Sequence, residues 1–263
     1  MRLCTYRDGG GSRLGSVEDG VVVPLAGRDV GDALAGLPEP AGAAVALEGL
    51  ELLAPLAPGK LIGVGLNYRD HAAETGAELP REPLLFAKLP SSVTAPAGDV
   101  VRPAYTEELD YEGELAVVIG RRARDLGPDA ALDHVFGYAV MNDVTARDRQ
   151  RAEPQWVRAK GGDTFAPFGP WVTTRDEVPD PQALAIRTTV NRELRQDGTT
   201  ADMIFSVAAL VGWCSASFTL EPGDVITTGT PAGVGVARGA FLAPGDRVRV
   251  EIEGLGALEN TVR

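Results

Sequence analysis

Two glutamates separated by one glycine lie at the start of the most informative segment of the chain. Glu112-Gly113-Glu114 runs directly into the apolar stretch Leu115–Ile119. Successive side chains of a strand alternate between its faces, so Glu112 and Glu114 point the same way. The apolar stretch would bury the strand together with its beginning. Two neighbouring buried carboxylates repel each other, so either one of them is protonated or a cation lies between them.

A third acid extends this pattern. Asp143 follows the apolar run Val135–Met141, which predicts a second buried strand that ends at the acid. The chain has only 2 histidines, which leaves little room for a site made of several imidazoles. Three carboxylates favour Mg²⁺, Mn²⁺ or Ca²⁺ over Zn²⁺, and about three positions of an octahedron would remain for water and substrate. From the local pattern alone, the exposed face of an edge strand is an equal alternative.

The elements that must position these acids are mostly strands. Residues 1–58 predict a small β-rich lobe, and residues 59–263 predict the catalytic body, with a Pro- and Gly-rich connector around the boundary. One helix is predicted over about Asp202–Ser217, capped by Thr199, Thr200 or Asp202. The other predicted elements are strands within Arg2–Arg7, Arg13–Leu25, Leu61–Val64, Val225–Thr228 and Arg247–Ile252, and a helix-like segment over Asn67–Thr75.

Composition narrows the class of partner. The 263 residues carry a formal net charge of −12, which disfavours binding to nucleic acid or to an anionic membrane. No stretch approaches the ~18 apolar residues of a membrane span. The 2 cysteines do not form a disulfide framework, and the first residues lack the apolar core of a signal peptide. We therefore expect a cytoplasmic protein.

A glycine pair near the start of the predicted body resembles a nucleotide-binding fingerprint. Gly63-Val64-Gly65 is followed by Tyr68 where the third glycine of that fingerprint would stand. A clean βαβ unit is not visible around the pair. We therefore do not expect a nucleotide to bind here.

Taken together, the segments of the body resemble the fumarylacetoacetate hydrolase family. The likeness runs in one consistent order over roughly residues 60–260. The segments that carry it are Gly65–Glu74, Phe86–Lys88 with Ser91-Ser92, Asp110–Gly120, Asn142–Gln150, Lys160–Trp171 and Gly223–Gly235. The short N-terminal part indicates the single-module branch of the family.

The resemblance implies a mixed, β-rich α/β fold: a roll of mixed sheets with flanking helices, assembled as a homodimer. It implies a divalent metal, usually Mg²⁺, and a small anionic 2-oxo acid as substrate. Carried over by position, the metal ligands are Glu112, Glu114 and Asp143, and the catalytic residues are His71, Glu74 and Lys160. The substrate-binding residues are Lys88, Ser91, Arg147, Gln150 and Thr230. Arg147 alternatively pairs with Asp148 or Glu153.

The leading functional hypothesis is a metal-dependent hydrolase that cleaves a C–C bond in a 2-oxo or β-diketo acid, of the acylpyruvate type. His71, oriented by Glu74 three residues later, would be the general base for the attacking water. The segment Tyr68–Leu79 would be a lid that closes over the metal. The alternatives are a 2-hydroxyhepta-2,4-diene-1,7-dioate isomerase, an oxaloacetate decarboxylase, or a binding protein without catalysis.

Overall fold

The computed structural model describes residues 1–263, apart from the side chain of residue 128. Strands are its main elements, as the sequence predicts. In chain order they are β1 (Arg2–Asp8), β2 (Gly11–Glu18), β3 (Val21–Pro24), β4 (Val45–Ala46), β5 (Leu52–Leu53), β6 (Leu61–Gly65), β7 (Leu84–Lys88), β8 (Val93–Thr94), β9 (Leu109–Asp110), β10 (Gly113–Ile119), β11 (Val135–Asn142), β12 (Thr145–Ala146), β13 (Ala166–Thr174), β14 (Ala185–Val190), β15 (Glu193–Thr199), β16 (Val225–Thr227), β17 (Arg247–Ile252) and β18 (Gly256–Thr261).

The helices are short and lie between the strands. They are α1 (Arg69–Thr75), α2 (Pro128–Ala131), α3 (Arg147–Ala152), α4 (Val157–Lys160), α5 (Val207–Ser217) and α6 (Gly235–Arg238). Single 3₁₀ turns cover Val30–Ala33, Pro90–Ser92, Leu132–His134, Arg175–Glu177 and Thr200–Asp202. Within the described residues, none of these helices has the length and apolar character needed to cross a membrane.

One large mixed sheet forms the centre of the molecule. Its path runs β4-β3-β2-β1-β13-β11-β10-β16-β6-β7, with β5 added to β1 and β8 to β13. The pairs β16·β6 and β13·β8 are parallel, and the other pairs along the sheet are antiparallel. A second antiparallel sheet has the order β15-β14-β17-β18. The predicted mixed, sheet-rich fold is confirmed. Because β1 pairs with β13, the N-terminal strands continue the central sheet, and a boundary between residues 58 and 59 stays a prediction.

Strand β10 lies in the interior of the large sheet, between β11 and β16, and every one of its residues is buried. Its side chains alternate between two apolar cores. Leu115, Val117 and Ile119 enter one core, and Ala116 and Val118 enter the other. Because both faces of β10 are covered, the side chains that point to either face are apolar, and the whole run is hydrophobic. The strand that carries the Glu-x-Glu motif is therefore a central strand.

Helix α5 begins later than the sequence pattern predicts. The expected start at Asp202 is wrong, and so are the three expected capping residues. Ser206 caps the helix with its side chain instead. The residues before it are held by Asn67, which accepts the Phe205 N–H on its side-chain oxygen and the Ile204 N–H on its backbone carbonyl. This long-range contact removes the first turn that local propensity favours.

Candidate metal centre and active site

Three carboxylates converge where β10 begins and β11 ends. Glu112 directly precedes β10, Glu114 is its second residue, and Asp143 directly follows β11. The antiparallel register pairs Gly113 with Asn142, so the acids lie at adjoining strand ends. Each acid offers an oxygen within 4.8 Å of the others, and all three are buried. The predicted convergence is confirmed, and the edge-strand alternative is wrong.

Lys160 bridges two of these acids. Its Nζ donates to Glu112 Oε2 at 2.5 Å and to Asp143 Oδ2 at 2.7 Å. Burial lowers the pKa of Lys160, but the charges of Asp143 and Glu112 outweigh burial and raise it. The lysine is therefore a fixed positive charge beside the acids. Because its ammonium binds one oxygen of each of two acids, Lys160 fixes the positions of these carboxylates.

Arg147 is held just as firmly. Its Nε donates to Asp110 Oδ2 at 2.8 Å, its Nη2 to Glu112 Oε1 at 2.6 Å, and its Nη1 to Gln150 Oε1 at 2.9 Å. These contacts replace the two nearby acids that the sequence offered as alternative partners. Burial raises the pKa of Glu112, but Arg147 and then Lys160 outweigh it and hold that pKa well below its usual range.

Glu114 has a different environment from Glu112. Its Oε2 accepts the backbone N–H of Gly229 at 2.9 Å, and its side chain is buried. Burial raises its pKa well above the usual range, and the charges of Asp143 and Glu112 add to that shift. A carboxylate in this position is unfavourable until a further positive charge comes close.

Lys88 lies behind Asp143, where its side chain is fully buried. Its Nζ donates to Asp143 Oδ1 at 2.5 Å and also to the backbone carbonyls of Val144 and Lys160. Burial lowers the pKa of Lys88, and the charge of Asp143 opposes that shift. Lys88 therefore contacts one of the three acids and does not line the cavity beside them among the described residues, and its contact with substrate stays a prediction. Ser91 is exposed in the turn Pro90–Ser92 and lies outside the site.

We expect the Lys88→Met variant to lose about 3 kcal/mol of its metal-free stability, because one partner of a buried ion pair is removed. Urea unfolding measures this loss. Mg²⁺ is expected to restore part of it, since a dication would again neutralise Asp143. Lys60→Met is the matched control: Lys60 pairs with Asp224 but its side chain is 39% exposed, and the expected loss is about 1 kcal/mol or less. Equal losses in both variants would contradict the prediction.

The donor set fits a hard divalent cation. Four buried carboxylates, those of Asp110, Glu112, Glu114 and Asp143, adjoin three buried cations, those of Lys88, Lys160 and Arg147. Fully ionised, this cluster has a formal charge of −1. A dication would make it +1, a charge that a single substrate carboxylate neutralises. The three candidate ligands are all carboxylates, with no imidazole or thiolate among them. Mg²⁺, Mn²⁺ and Ca²⁺ prefer such oxygen ligands.

Residues 69–75 of the segment predicted to be a lid form helix α1, and its His71 and Thr75 line the same cavity as Glu112 and Glu114. His71 Nδ1 is 3.0 Å from Glu74 Oε1, as the three-residue spacing on one helical face predicts. The Glu74 carboxylate also accepts the Gly233 N–H at 2.9 Å, and Asp70 Oδ2 accepts the Ala232 N–H at 3.1 Å. These contacts hold the helix against the loop that follows β16. Movement of the lid stays a prediction.

A cavity of about 390 Å³ opens beside the acids. Its wall includes His71, Glu112, Glu114, Lys160, Arg147, Gln150 and Thr230, seven of the residues predicted for the site. The Thr230 hydroxyl donates to the Gly113 carbonyl at 2.9 Å, so it buttresses the strand that carries the glutamates. The side chains of Arg147 and Gln150 reach the cavity while bonded to each other.

Three polar residues that the sequence analysis left out bind to the candidate metal centre or to the backbone that carries it. Asp110 accepts from Arg147 and from the backbone N–H of Gly235 at 2.7 Å. Asp110 lies two residues before Glu112, the spacing that puts side chains on one face of an extended chain, so the sequence contained a signal for it. Asn142 Oδ1 accepts the Glu112 N–H at 2.9 Å, and Gln196 Oε1 accepts the Gly113 N–H at 3.0 Å. Gln196 comes from β15, and nothing in its local sequence indicates this contact.

The fold is sheet-rich, and it buries three carboxylates, two of which line a cavity that His71, paired with Glu74, also lines. This arrangement is that of an enzyme with a candidate metal site. The family described as Fumarylacetoacetate (FAA) hydrolase C-terminal matches residues 60–263, and an N-terminal family described as Rv2993c-like matches residues 1–55. The chain belongs to the fumarylacetoacetate hydrolase family, and it is an enzyme of that family. The resemblance expected from the sequence is confirmed.

Individual relatives share most of their length with this chain. A Mycobacterium tuberculosis protein, Protein Rv2993c, is 42% identical over 238 residues, which are 90% of this chain and 88% of the relative. The fumarylacetoacetate hydrolase structure from Exiguobacterium antarcticum has a TM-score of 0.92 at 39% identity and covers 100% of this chain and 99% of its own. The 2-hydroxyhepta-2,4-diene-1,7-dioate isomerase structure from Mycobacterium marinum has a TM-score of 0.87 at 39% identity, covering 100% and 98%.

Proposed function

We propose that the protein is a divalent-metal-dependent hydrolase that cleaves a C–C bond in a small 2-oxo acid with a second carbonyl group, such as an acylpyruvate. The observation that supports this most is that Glu112, Glu114 and His71 line the same cavity. Asp143 completes the set of three acids behind the two glutamates, and Glu74 is paired with the histidine. The carboxylates suit a cation that binds a 2-oxo acid. The histidine suits the activation of water.

The ligands Glu112, Glu114 and Asp143 would hold the cation. When bound, a divalent cation supplies a Lewis acid that stabilises the negative charge developing on a 2-oxo acid. Lys160 and Arg147 keep Glu112 ionised, so that ligand is ready to bind at neutral pH. The positive charge of the loaded cluster attracts the substrate carboxylate.

His71 carries the proton transfers in this proposal. If Nδ1 donates to Glu74, Nε2 remains as the proton acceptor. His71 takes a proton from water at Nε2, and the water oxygen forms a bond to the distal carbonyl carbon. The C–C bond to the 2-oxo acid fragment then breaks, and its electron pair stays with that fragment. The proton held at Nε2 neutralises this fragment, which leaves as the 2-oxo acid beside the released carboxylic acid.

An isomerase or a decarboxylase is the second candidate, and the name of the Mycobacterium marinum neighbour favours the isomerase. Both reactions use the same acids to stabilise charge on the 2-oxo acid. Neither needs a water that attacks a carbonyl. Decarboxylation of a 3-carboxylate releases CO₂ directly, so His71 would matter much less for it.

A substrate panel tests the proposal. The purified protein with Mg²⁺ is incubated with acetylpyruvate, with oxaloacetate and with a 2-hydroxy-dienedioate, and the products are identified by chromatography. The hydrolase proposal expects pyruvate and acetate from acetylpyruvate in a reaction that chelation of the metal stops. Turnover of the dienedioate or of oxaloacetate alone would favour the second candidate and contradict the first.

Three further properties belong to the proposal. Mg²⁺ is the cation we expect, with Mn²⁺ or Ca²⁺ as substitutes, because all the ligands are carboxylates. The protein is expected to be a homodimer, as the family resemblance implies, and to be cytoplasmic, as its low cysteine content indicates. Thermal shifts with each cation and light scattering of the purified protein measure the first two properties.

A further inference from the structure

Two aromatic rings lie on the glycine pair that resembles a nucleotide fingerprint. Gly63 and Gly65 belong to β6, which pairs with β7 so that Gly63 faces Phe86 and Gly65 faces Leu84. A Cβ atom on Gly63 would lie 2.1 Å from the Phe86 ring. A Cβ atom on Gly65 would lie 2.9 Å from the Trp156 ring. Both glycines therefore leave room for an aromatic ring on the strand.

These rings form a continuous wall from the acids to the mouth of the cavity. Lys160 Nζ, which bridges two of the acids, lies 4.9 Å from the centre of the Phe86 ring. The Phe86 and Trp156 rings meet edge to face at 5.6 Å between centroids. Leu84, which is 48% exposed, continues the wall to the solvent. All three side chains line the cavity, together with Leu66.

Leu66 adds a local indication that this wall is functional. It directly follows β6, lines the cavity and has a φ of 50°. A left-handed backbone at a leucine is strained, and such strain concentrates at ligand sites. The strained backbone therefore places an apolar side chain in the same cavity as the rings.

Few charged side chains line the cavity outside the carboxylate–cation cluster. Among the described residues that line it, Arg151 is the charged side chain outside the carboxylate–cation cluster. Its Nη2 is already 2.5 Å from Glu108 Oε2, and the arginine side chain is 56% exposed. A second substrate carboxylate would have to compete with that pair. With two carboxylates, the substrate would also carry one negative charge more than the metal-bound cluster, at +1, neutralises.

We propose that this wall, formed by Phe86, Trp156, Leu84 and Leu66, selects substrates whose acyl tail is uncharged and apolar. The inference rests on the proposed function, because the head of the substrate is taken to be a 2-oxo acid held at the carboxylates. It names the substrate class as monoanionic acylpyruvates with an alkyl or aryl tail. Gly63 and Gly65 are then specificity-determining positions, since they seat the rings.

A series of N-substituted oxamates tests the wall without any turnover. Oxamate presents a carboxylate and an adjacent carbonyl, and its nitrogen can carry a tail. Calorimetry with Mg²⁺ compares oxamate, N-propyl oxamate and N-(2-carboxyethyl) oxamate on the wild-type protein. Each fully buried methylene strengthens binding about fourfold, so the propyl tail is expected to gain at least about tenfold. The carboxylate tail is expected to bind more weakly than the propyl tail.

Variants locate the effect. Trp156→Ala is expected to lose most of the propyl gain while its affinity for oxamate itself stays within about threefold. Gly65→Ala, which keeps the tryptophan but pushes the ring away, is expected to act in the same direction. Trp213→Ala is the matched control, because Trp213 is 37% exposed on α5 and does not line the cavity among the described residues. That control is expected to keep the full gain.

The outcomes separate the two proposals. If wild-type protein with Mg²⁺ does not bind oxamate, the carboxylate site fails, and both proposals fall. If oxamate binds but the propyl tail adds nothing, or if the carboxylate tail binds more tightly, the apolar-tail inference alone is overturned. Loss of oxamate binding in Trp156→Ala would point to misfolding, and the Gly65→Ala variant then decides. A propyl gain retained in Gly65→Ala would overturn the role of the wall.

Discussion

The Glu114→Gln variant is expected to turn over acetylpyruvate at least about 10³-fold more slowly than wild type. Loss of one anionic ligand weakens binding of the cation, which would supply several kcal/mol of charge stabilisation. Glutamine has the same shape, and its carbonyl can still accept the Gly229 N–H. The measurement is the steady-state rate at the Mg²⁺ concentration that saturates wild type. The rise in melting temperature on adding Mg²⁺ should also largely disappear.

Stability without metal provides the control for this variant. Burial and the charges of Asp143 and Glu112 raise the pKa of Glu114. A carboxyl whose pKa is raised by folding contributes stability at low pH and loses that contribution as pH rises through the folded pKa. Metal-free wild type should therefore lose stability relative to Glu114→Gln as the pH rises above the usual range of a glutamate carboxyl. A metal-free variant much less stable than wild type at neutral pH would contradict this interpretation.

The central strands were predictable because their residues are apolar on both faces. Val135–Met141 and Leu115–Ile119 read as buried strands, and the structure has them as β11 and β10. The start of α5 was not predictable, because it depends on Asn67, a residue more than a hundred positions away. Local helix propensity does not depend on a distant side chain that binds these backbone N–H groups, so it cannot predict this start.

The candidate site shows the same division. Period-2 alternation places Glu112 and Glu114 together, and the end of a buried strand places Asp143. The partners that stabilise these acids come from distant segments, so the sequence could only suggest them by family resemblance. Lys88 illustrates the limit, because its local sequence does not show that its side chain is fully buried and pairs with Asp143. The packing of aromatic rings against Gly63 and Gly65 likewise depends on the positions of β7 and Trp156, which the local sequence does not give.

The His71→Ala variant is expected to slow acylpyruvate hydrolysis by about 10²- to 10⁴-fold, the usual contribution of a general base. Its imidazole lines the cavity and is oriented by Glu74 at 3.0 Å. The metal ligands are untouched, so the rise in melting temperature with Mg²⁺ should be the same as in wild type. This preserved metal response distinguishes the loss from that of Glu114→Gln. Turnover and thermal shift are measured on the same preparation.

The chain offers a matched control, because His134 is the other of its 2 histidines. Its Nδ1 lies 3.4 Å from the Arg121 carbonyl, and it does not line the cavity among the described residues. His134→Ala is therefore expected to keep wild-type turnover. Glu74→Gln is expected to fall between the two, since the imidazole stays but loses its anionic partner. Unchanged hydrolysis in His71→Ala would remove the histidine from the mechanism. A reaction that His71→Ala leaves intact while Glu114→Gln abolishes it would indicate a decarboxylase, because charge stabilisation is then needed and water activation is not.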